Sequence, residues 1–299
     1  MFQVKNRQLL LTDNFKSNIC NPCLIEVPDW CDHKIGKYYL YYADHKGKYI
    51  KLAYSDNLYG NWKVKNEGVL NIDKFSDAIN HIASPEIFID NLNKEIILYT
   101  HSHSKSNQGQ WTYASKSSDA LNFEVVNNIP LAPFYFRIFK YNNYFYGITK
   151  GGGLWKSKNL FNKFEQRQNL FYRNRSLETL HNYDGAIRHL CIIIENNTLI
   201  IFYSKIGDKP EKIYFSQLDL KIQDKNWFFD FEEELLRPKF NFEGADIKLK
   251  KSEPGDATEP ENALRDPHVA KILNNYVLTY CVKGEFGIAI AELYKNEKK

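Results

Sequence analysis

An all-β fold, a five-bladed β-propeller with four antiparallel strands per blade, is what the 299-residue sequence predicts. Aromatic residues are abundant (Tyr 20, Phe 20, Trp 5) beside a single Met, and short β-branched stretches are bounded by Gly, Asn and Asp. That composition favours many short strands over helices. A triplet of strands recurs along the chain in register, and the last copy lacks a strand that the N-terminal segment is able to supply.

The second strand of each copy is the most legible: Tyr38–Ala43, Glu95–Thr100, Tyr144–Ile148, Thr198–Ser204 and Tyr276–Cys281. Each follows a turn rich in residues that tolerate positive φ, at His33–Gly36, Asp90–Asn93, Lys140–Asn143, Glu195–Asn197 and Leu273–Asn275, which is hairpin chemistry. First strands precede these turns at Pro22–Ile25, Pro85–Ile89, Tyr135–Phe139, His189–Ile193 and Pro267–Ile272. Third strands follow at Tyr49–Ser55, Trp111–Ser115, Gly153–Ser157, Lys212–Ser216 and Gly287–Ala291.

Fourth strands are expected at Trp62–Val64, Phe123–Val126, Phe164–Gln166 and Trp227–Asp230, and the fifth copy has none. The segment Phe2–Leu11 has strand character and no other place in the repeat, so the N-terminal strand is expected to close the last blade. Four strands per repeat of about 50 residues is the propeller pattern, and residues 1–299 are read as one such domain. A stretch before the fifth copy, 239–262, carries Glu243, Asp246, Asp256, Glu259 and Glu261. It is expected to be an acidic loop insertion, either a solvated surface loop or a lid.

Lys+Arg 40 against Asp+Glu 36 leaves a net charge of +4 without a long basic block, so nucleic acid is not an expected partner. No apolar run is long enough for a membrane helix, and Leu9–Leu11 is too short for a signal-peptide core. A cytoplasmic protein is the expectation. The odd count of 5 Cys suits reduced thiols, and Cys20–Cys23 has C-x-x-C spacing without a second pair or a redox context.

In a propeller the first strands line a central channel, so polar residues at or just before them are expected to converge. The candidates are Asn21, then His81, Ser84 and Glu86, then Tyr135 and Arg137, then Asp184, Arg188 and His189, then Arg265, Asp266 and His268. First strands have little use for arginine or carboxylate unless each is paired. Either a ring of structural ion pairs or a binding pocket explains them. Guanidinium forks suit planar anions, which points to an anionic, oxygen-rich ligand, and Trp30 and Tyr135 are candidates to stack on a sugar ring.

The phrases Gly36–Ala43 and Ile50–Trp62, with Ala83–Ile87, Arg265–Pro267 and Gly284–Ala291, resemble the blade pattern of five-bladed glycoside hydrolases, families 43 and 32 especially. That resemblance implies a saccharide substrate and three carboxylates: a base in blade one, a pKa-modulating aspartate in blade two and a general acid in blade three. This chain offers Asn21, Glu86 and Phe136-Arg137 at those places, so only the second is a carboxylate.

The best carboxylate pair for a hydrolase is therefore Glu86 with Asp266. A gap of roughly 6.5–9.5 Å would suit inversion and about 5–5.5 Å a covalent intermediate. His81 or His189 is an alternative proton donor, and a lyase using His and Tyr is a near variant. No local ligand motif marks a metal, and no cofactor is expected. The competing class is a saccharide-binding propeller that kept the funnel and lost the triad.

Overall fold

The structure, a computed structural model, describes residues 2–14, 17–172 and 185–295. Among the described residues there are strands and short 3₁₀ turns and no α-helix. The first strand, β1 (Phe2–Leu11), is followed by a sheet of β2 (Cys20–Glu26), β3 (Tyr38–Ala43), β4 (Tyr49–Ser55) and β5 (Lys63–Asn71), in that order. The second sheet holds β6 (Ala78–Asp90), β7 (Glu95–Ser104) and β8 (Gln110–Ser117), with β9 (Glu124–Val125) and β10 (Ala132–Pro133) both against β8. The third is β11 (Arg137–Tyr141), β12 (Tyr144–Ile148), β13 (Gly153–Ser157) and β14 (Glu165–Asn169). The fourth is β15 (Ile187–Glu195), β16 (Thr198–Lys205), β17 (Ile213–Asp219) and β18 (Glu233–Leu236). The fifth is β19 (Arg265–Ile272), β20 (Asn275–Val282) and β21 (Gly287–Lys295), with β1 outermost.

These antiparallel sheets are the blades of a five-bladed β-propeller, as the repeat predicts. The N-terminal strand does join the last blade: β1 runs antiparallel to β21 from Phe2 opposite Lys295 to Leu11 opposite Ile288. Phe2 is buried there, edge-on to Phe202 and Phe215 at 5.5 and 5.3 Å.

Outer strands depart from expectation. Trp227–Asp230 is not a strand; Trp227 ends a 3₁₀ turn at Asp224–Asn226, and the outer strand of that sheet is β18, a few residues later. The buried Trp227 indole donates to Ile222 O at 3.1 Å, so its bulk serves a turn and the ladder falls to the charged Glu233–Leu236. The outer strand of the second sheet is split into the two short pieces β9 and β10.

The chain groups into two compact units, the first Met1–Cys20, Lys150–Leu154 and Arg167–Lys299, the second Asn21–Thr149 and Trp155–Gln166. In the second unit Tyr39, Tyr41, Leu52, Ile96, Leu98 and Tyr113 pack into one core. Buried phenols there find acceptors: Tyr41 donates to Ala120 O at 2.7 Å and Tyr99 to Leu160 O at 3.0 Å. In the first unit Phe2, Ile200, Phe202, Phe215, Leu278 and Tyr280 do the same work. Residues on both faces of each second strand are buried, so alternation gives way to continuous apolar and aromatic runs. No helix among the described residues is long and apolar enough to cross a membrane.

Candidate active-site clusters

First strands begin with a backbone irregularity, and the candidate residues sit on it. Asn21, Ser84, Tyr135 and Asp266 have φ of 56°, 51°, 56° and 51°, a left-handed conformation that costs a non-glycine residue energy. The ladder register breaks between Ala83 and Glu86, between Ile187 and Leu190, and between Arg265 and His268. Such bulges re-aim side chains. Strain of this kind recurs near the start of the first strand in four of the five sheets, which makes that place the candidate site.

In the second unit the bulge of β6 presents Glu86. Its side chain is 10% exposed, and Arg137 Nε lies 3.5 Å from Oε2. Burial pushes the carboxyl up from 4.5 to about 7, against the opposing pull of Arg137 and of the Ile138 N–H, which donates to it. Arg137 opens β11 and its Nη1 donates to Phe136 O at 3.2 Å. The Phe136 ring in turn lies over Gly147, where an added Cβ would meet it at 1.8 Å. Only glycine at that position lets the ring lie flat and fix the start of β11.

Tyr135 packs edge-on to His101 at 4.9 Å, and His81 meets His101 and His103 at 5.5 and 5.4 Å. Burial holds His81 down to about 4, aided by His103, so at neutral pH its ring is uncharged. Asn21 is buried on β2. Trp30 lies apart: its indole donates at 2.9 Å to Asn91 Oδ1, in the turn beyond the far end of β6. Five residue steps along the strand separate Asn91 from Glu86, about 16 Å.

In the first unit the bulges of β15 and β19 present Arg188, His189, Arg265 and Asp266, all buried. One carboxylate bridges the two arginines. Glu211 Oε1 receives Arg188 Nε and Oε2 receives Arg265 Nε, each at 2.8 Å, and Ser204 Oγ donates to Oε1 at 2.8 Å. Arg265 also reaches Glu261 at 2.6 Å and Glu285 at 3.4 Å. Burial works against its charge, and the surrounding carboxylates outweigh burial and raise its pKa. Arg188 donates to Gly255 O at 2.9 Å and also to Glu253 O. Among the described residues, both guanidinium groups thus spend their forks on protein carboxylates and carbonyls.

Asp266 is buried. Its Oδ1 contacts His189 Nδ1, and its Oδ2 accepts from the Cys281 thiol at 3.3 Å. Burial lowers the His189 pKa, with Asp266 pulling the other way. The pair has the form of an imidazole oriented by a carboxylate. His268 is half-buried on β19, its carbonyl accepting from Thr279 Oγ1 at 3.4 Å. Asp184 lies outside the described residues.

The 239–262 insertion is held to the first unit by its acids. Buried Glu243 accepts from Tyr280 at 2.7 Å and pairs with Arg7 at 3.3 Å, while Glu261 meets Arg265. Sequence reasoning missed Glu211, Glu261 and Glu285 as arginine partners, and Lys150, whose amine is pulled down to about 8 by burial and then by Arg188. Glu211 follows Pro210 outside any strand, so nothing local marks it. His101-Ser102-His103 did carry a signal, because alternate residues of a strand share a face.

No protein-family model matches the chain. Solved structures with similar folds include a glycosyl hydrolase from Bacteroides ovatus (10% identity, TM-score 0.63, covering 94% of this chain and 85% of that one). A Cellvibrio cellulosa α-L-arabinanase complexed with arabinohexaose is similar at 13% identity and TM-score 0.60, covering 94% of each chain. The RS223 β-xylosidase is similar at 11% identity and TM-score 0.62, covering 97% and 96%. At these identities the likeness is one of fold. By sequence, the chain is 31% identical over 313 residues, covering 98% of its own length and 88% of the other's, to uncharacterized protein R118 of Acanthamoeba polyphaga mimivirus. The chain therefore belongs to the protein family of that viral protein, on a propeller fold shared with glycoside hydrolases.

Proposed function

We propose that the protein acts on a saccharide as a glycosidase-type enzyme in which Glu86 holds and delivers a proton. The carrying observation is the buried Glu86 carboxyl, raised to about 7 on a strained bulge. A carboxyl in that state keeps its proton near neutral pH and passes it to a glycosidic oxygen as the bond to the leaving sugar breaks. A water molecule bonds to the anomeric carbon in its place, and the proton that this water loses restores the carboxyl for the next turnover. Arg137 then stabilises the carboxylate left behind, so that the step does not strand a bare anion in the interior. The shared fold supports a saccharide as ligand, by analogy alone.

Tyr135 and Asn21, at the strained positions of the same unit, are the proposed sugar contacts, Tyr135 through its ring face. An acidic group on the saccharide would have to share Arg137 with Glu86, which it approaches at 3.5 Å, whereas Arg188 and Arg265 hold their carboxylates at 2.8 Å. The proposal includes a reducing, cytoplasmic setting, supported by the buried free cysteines.

A second reading, saccharide binding without turnover, is favoured by Asn21, an amide where the resemblance implies the base. Neutral arabino- and xylo-oligosaccharides and uronic-acid oligosaccharides, incubated with the protein and followed by chromatography of products and by thermal shift, separate the two. Products that disappear in Glu86→Gln while the thermal shift survives support the enzyme. A shift without products supports the binding reading, and neither response rejects both.

A further inference from the structure

The turn joining β4 to β5 forms one side of a cleft in the second unit, with a volume of about 430 Å³. That is the size of a small-molecule site, about 300–1,000 Å³. One side of it is apolar. Tyr39, Tyr54 and Lys63 stand opposite one another across β3, β4 and β5 and so share a face of the sheet. Gly36 lets the connection from β2 lie against the end of β4, since an added Cβ there would come within 3.1 Å of Ser55 N. The exposed Ile35 is thereby set at the rim, its N–H donating to the Tyr39 hydroxyl at 3.0 Å, beside the half-buried Tyr54.

The other side is polar and held in place. The buried Ser55 hydroxyl ties the turn down, 2.8 Å from Asn57 O and 2.9 Å from Asn61 O, and accepts from Asn57 N at 3.1 Å. Lys37 N donates to Asp56 Oδ1 at 3.0 Å, and Tyr59 N donates to Asn57 Oδ1 at 3.1 Å. Each bond fixes a side chain by one atom and leaves the other, Asp56 Oδ2 and Asn57 Nδ2, without a hydrogen-bond partner among the described residues. The Asn61 amide and the Lys63 ammonium have none there either.

A fixed acceptor beside several donors, next to an aromatic ring, matches the chemistry of a sugar. A hydroxyl gives one hydrogen bond and takes others, so it uses a carboxylate and an amide or ammonium together, and the C–H face of the ring packs on an aromatic side chain. One carboxylate and one ammonium leave the lining without net charge, which favours a neutral saccharide over an acidic one. The cleft is remote from Glu86. Ser55 ends β4 six residue steps from Tyr49, about 20 Å, and the turn before Tyr49 is the one that the β6 bulge meets, through Ile82 N and Gly47 O at 3.0 Å.

We propose that this cleft is a second, non-catalytic binding site for a neutral saccharide, with Tyr54 against the ring face and Asp56, Asn57, Asn61 and Lys63 bonding its hydroxyls. It holds sugar whether or not Glu86 turns one over, so the two readings fail separately.

The test is titration of ¹⁵N-labelled full-length protein with xylohexaose, arabinohexaose, cellohexaose and, for comparison, trigalacturonic acid, followed by amide shifts in NMR spectra. Glu86→Gln is the background, so that turnover does not consume a probe, and Asn61→Ala, Lys63→Ala and the control Lys158→Ala are added to it. Saturable shifts at residues 54–63 are expected with at least one neutral hexaose at a Kd below about 10 mM, and weaker ones with the acid. Asn61→Ala and Lys63→Ala are each expected to weaken that binding about fivefold, the loss of one hydrogen bond, and Lys158→Ala to leave it unchanged. Both site side chains are exposed, and the same spectra establish that each variant is folded. No shift at 54–63 with any neutral hexaose, equal binding of the acid, or folded site variants that bind as the background does would overturn the proposal. Shifts at residues 84–86 and 135–138 report on the Glu86 site independently.

Discussion

Arg137 Nε stands 3.5 Å from Glu86 Oε2, and the Glu86 carboxyl is nonetheless pushed up to about 7. Loss of water outweighs a neighbouring cation because the ionised form must be solvated by whatever the interior provides, here one guanidinium and one backbone N–H. The result is an acid poised at neutral pH, next to the charge that will compensate its loss of a proton.

That arrangement makes the native state lose stability as pH rises. The folded pKa of Glu86 lies above the unfolded 4.5, so its stabilising contribution is complete below 4.5 and is lost as pH climbs through about 7. The loss is on the order of 3 kcal/mol. Urea denaturation across this window is expected to show the decline in wild type and a flatter profile in Glu86→Gln. A wild-type profile as flat as the variant's would count against the raised pKa.

Arg265 is the counter-charge of three buried or nearly buried glutamates, Glu211, Glu261 and Glu285. Arg265→Ala leaves them without it and is expected to cost about 3–5 kcal/mol or to prevent folding. Arg265→Lys is expected to recover only part of the loss, since an ammonium lacks the planar fork. Denaturant midpoints check both, and a loss below about 1 kcal/mol in Arg265→Ala would contradict the account.

Arg188 ties the insertion at the carbonyls of Glu253 and Gly255. In Arg188→Ala the segment around 253–255 is expected to be cut several-fold faster by a broad-specificity protease, while the Glu243 anchor keeps the start of the insertion protected. Equal cutting rates in wild type and variant would show that the latch does not restrain the loop.

All five cysteines are free and buried. Burial pushes Cys31 up to about 11 and raises Cys281 as well, the latter with the help of Asp266. Native protein at pH 7 is therefore expected to react with much less than one equivalent of a thiol-specific disulfide reagent, and unfolded protein with all five thiols. Rapid labelling of native Cys20 or Cys23 would reopen a redox role for the C-x-x-C spacing.

The blades were legible because a propeller repeats its cues: aromatic second strands buried on both faces, such as Tyr38–Ala43, follow turns that need Asn or Gly. Outer strands were harder, since β18 is short and charged and its ladder partners are backbone groups, whereas Trp227 looks strand-like and caps a turn. Site residues were legible as types, because arginine and carboxylate on a first strand demand a reason. Their partners were not: Glu211 and Glu285 come from distant loops, and only the fold brings them to Arg188 and Arg265. Buried Asp266, read from sequence as the catalytic partner of Glu86, spends its two oxygens on His189 and Cys281.

The most direct test of Glu86 as the proton donor is the rate of saccharide cleavage from about pH 5 to pH 9, by wild type and Glu86→Gln, on whichever oligosaccharide the panel identifies. The account predicts that wild-type kcat/KM falls roughly tenfold per pH unit above about 7 and that the variant binds the saccharide but turns it over at least about a hundredfold more slowly. Wild-type turnover in Glu86→Gln, or a rate that keeps rising through pH 9, would contradict it.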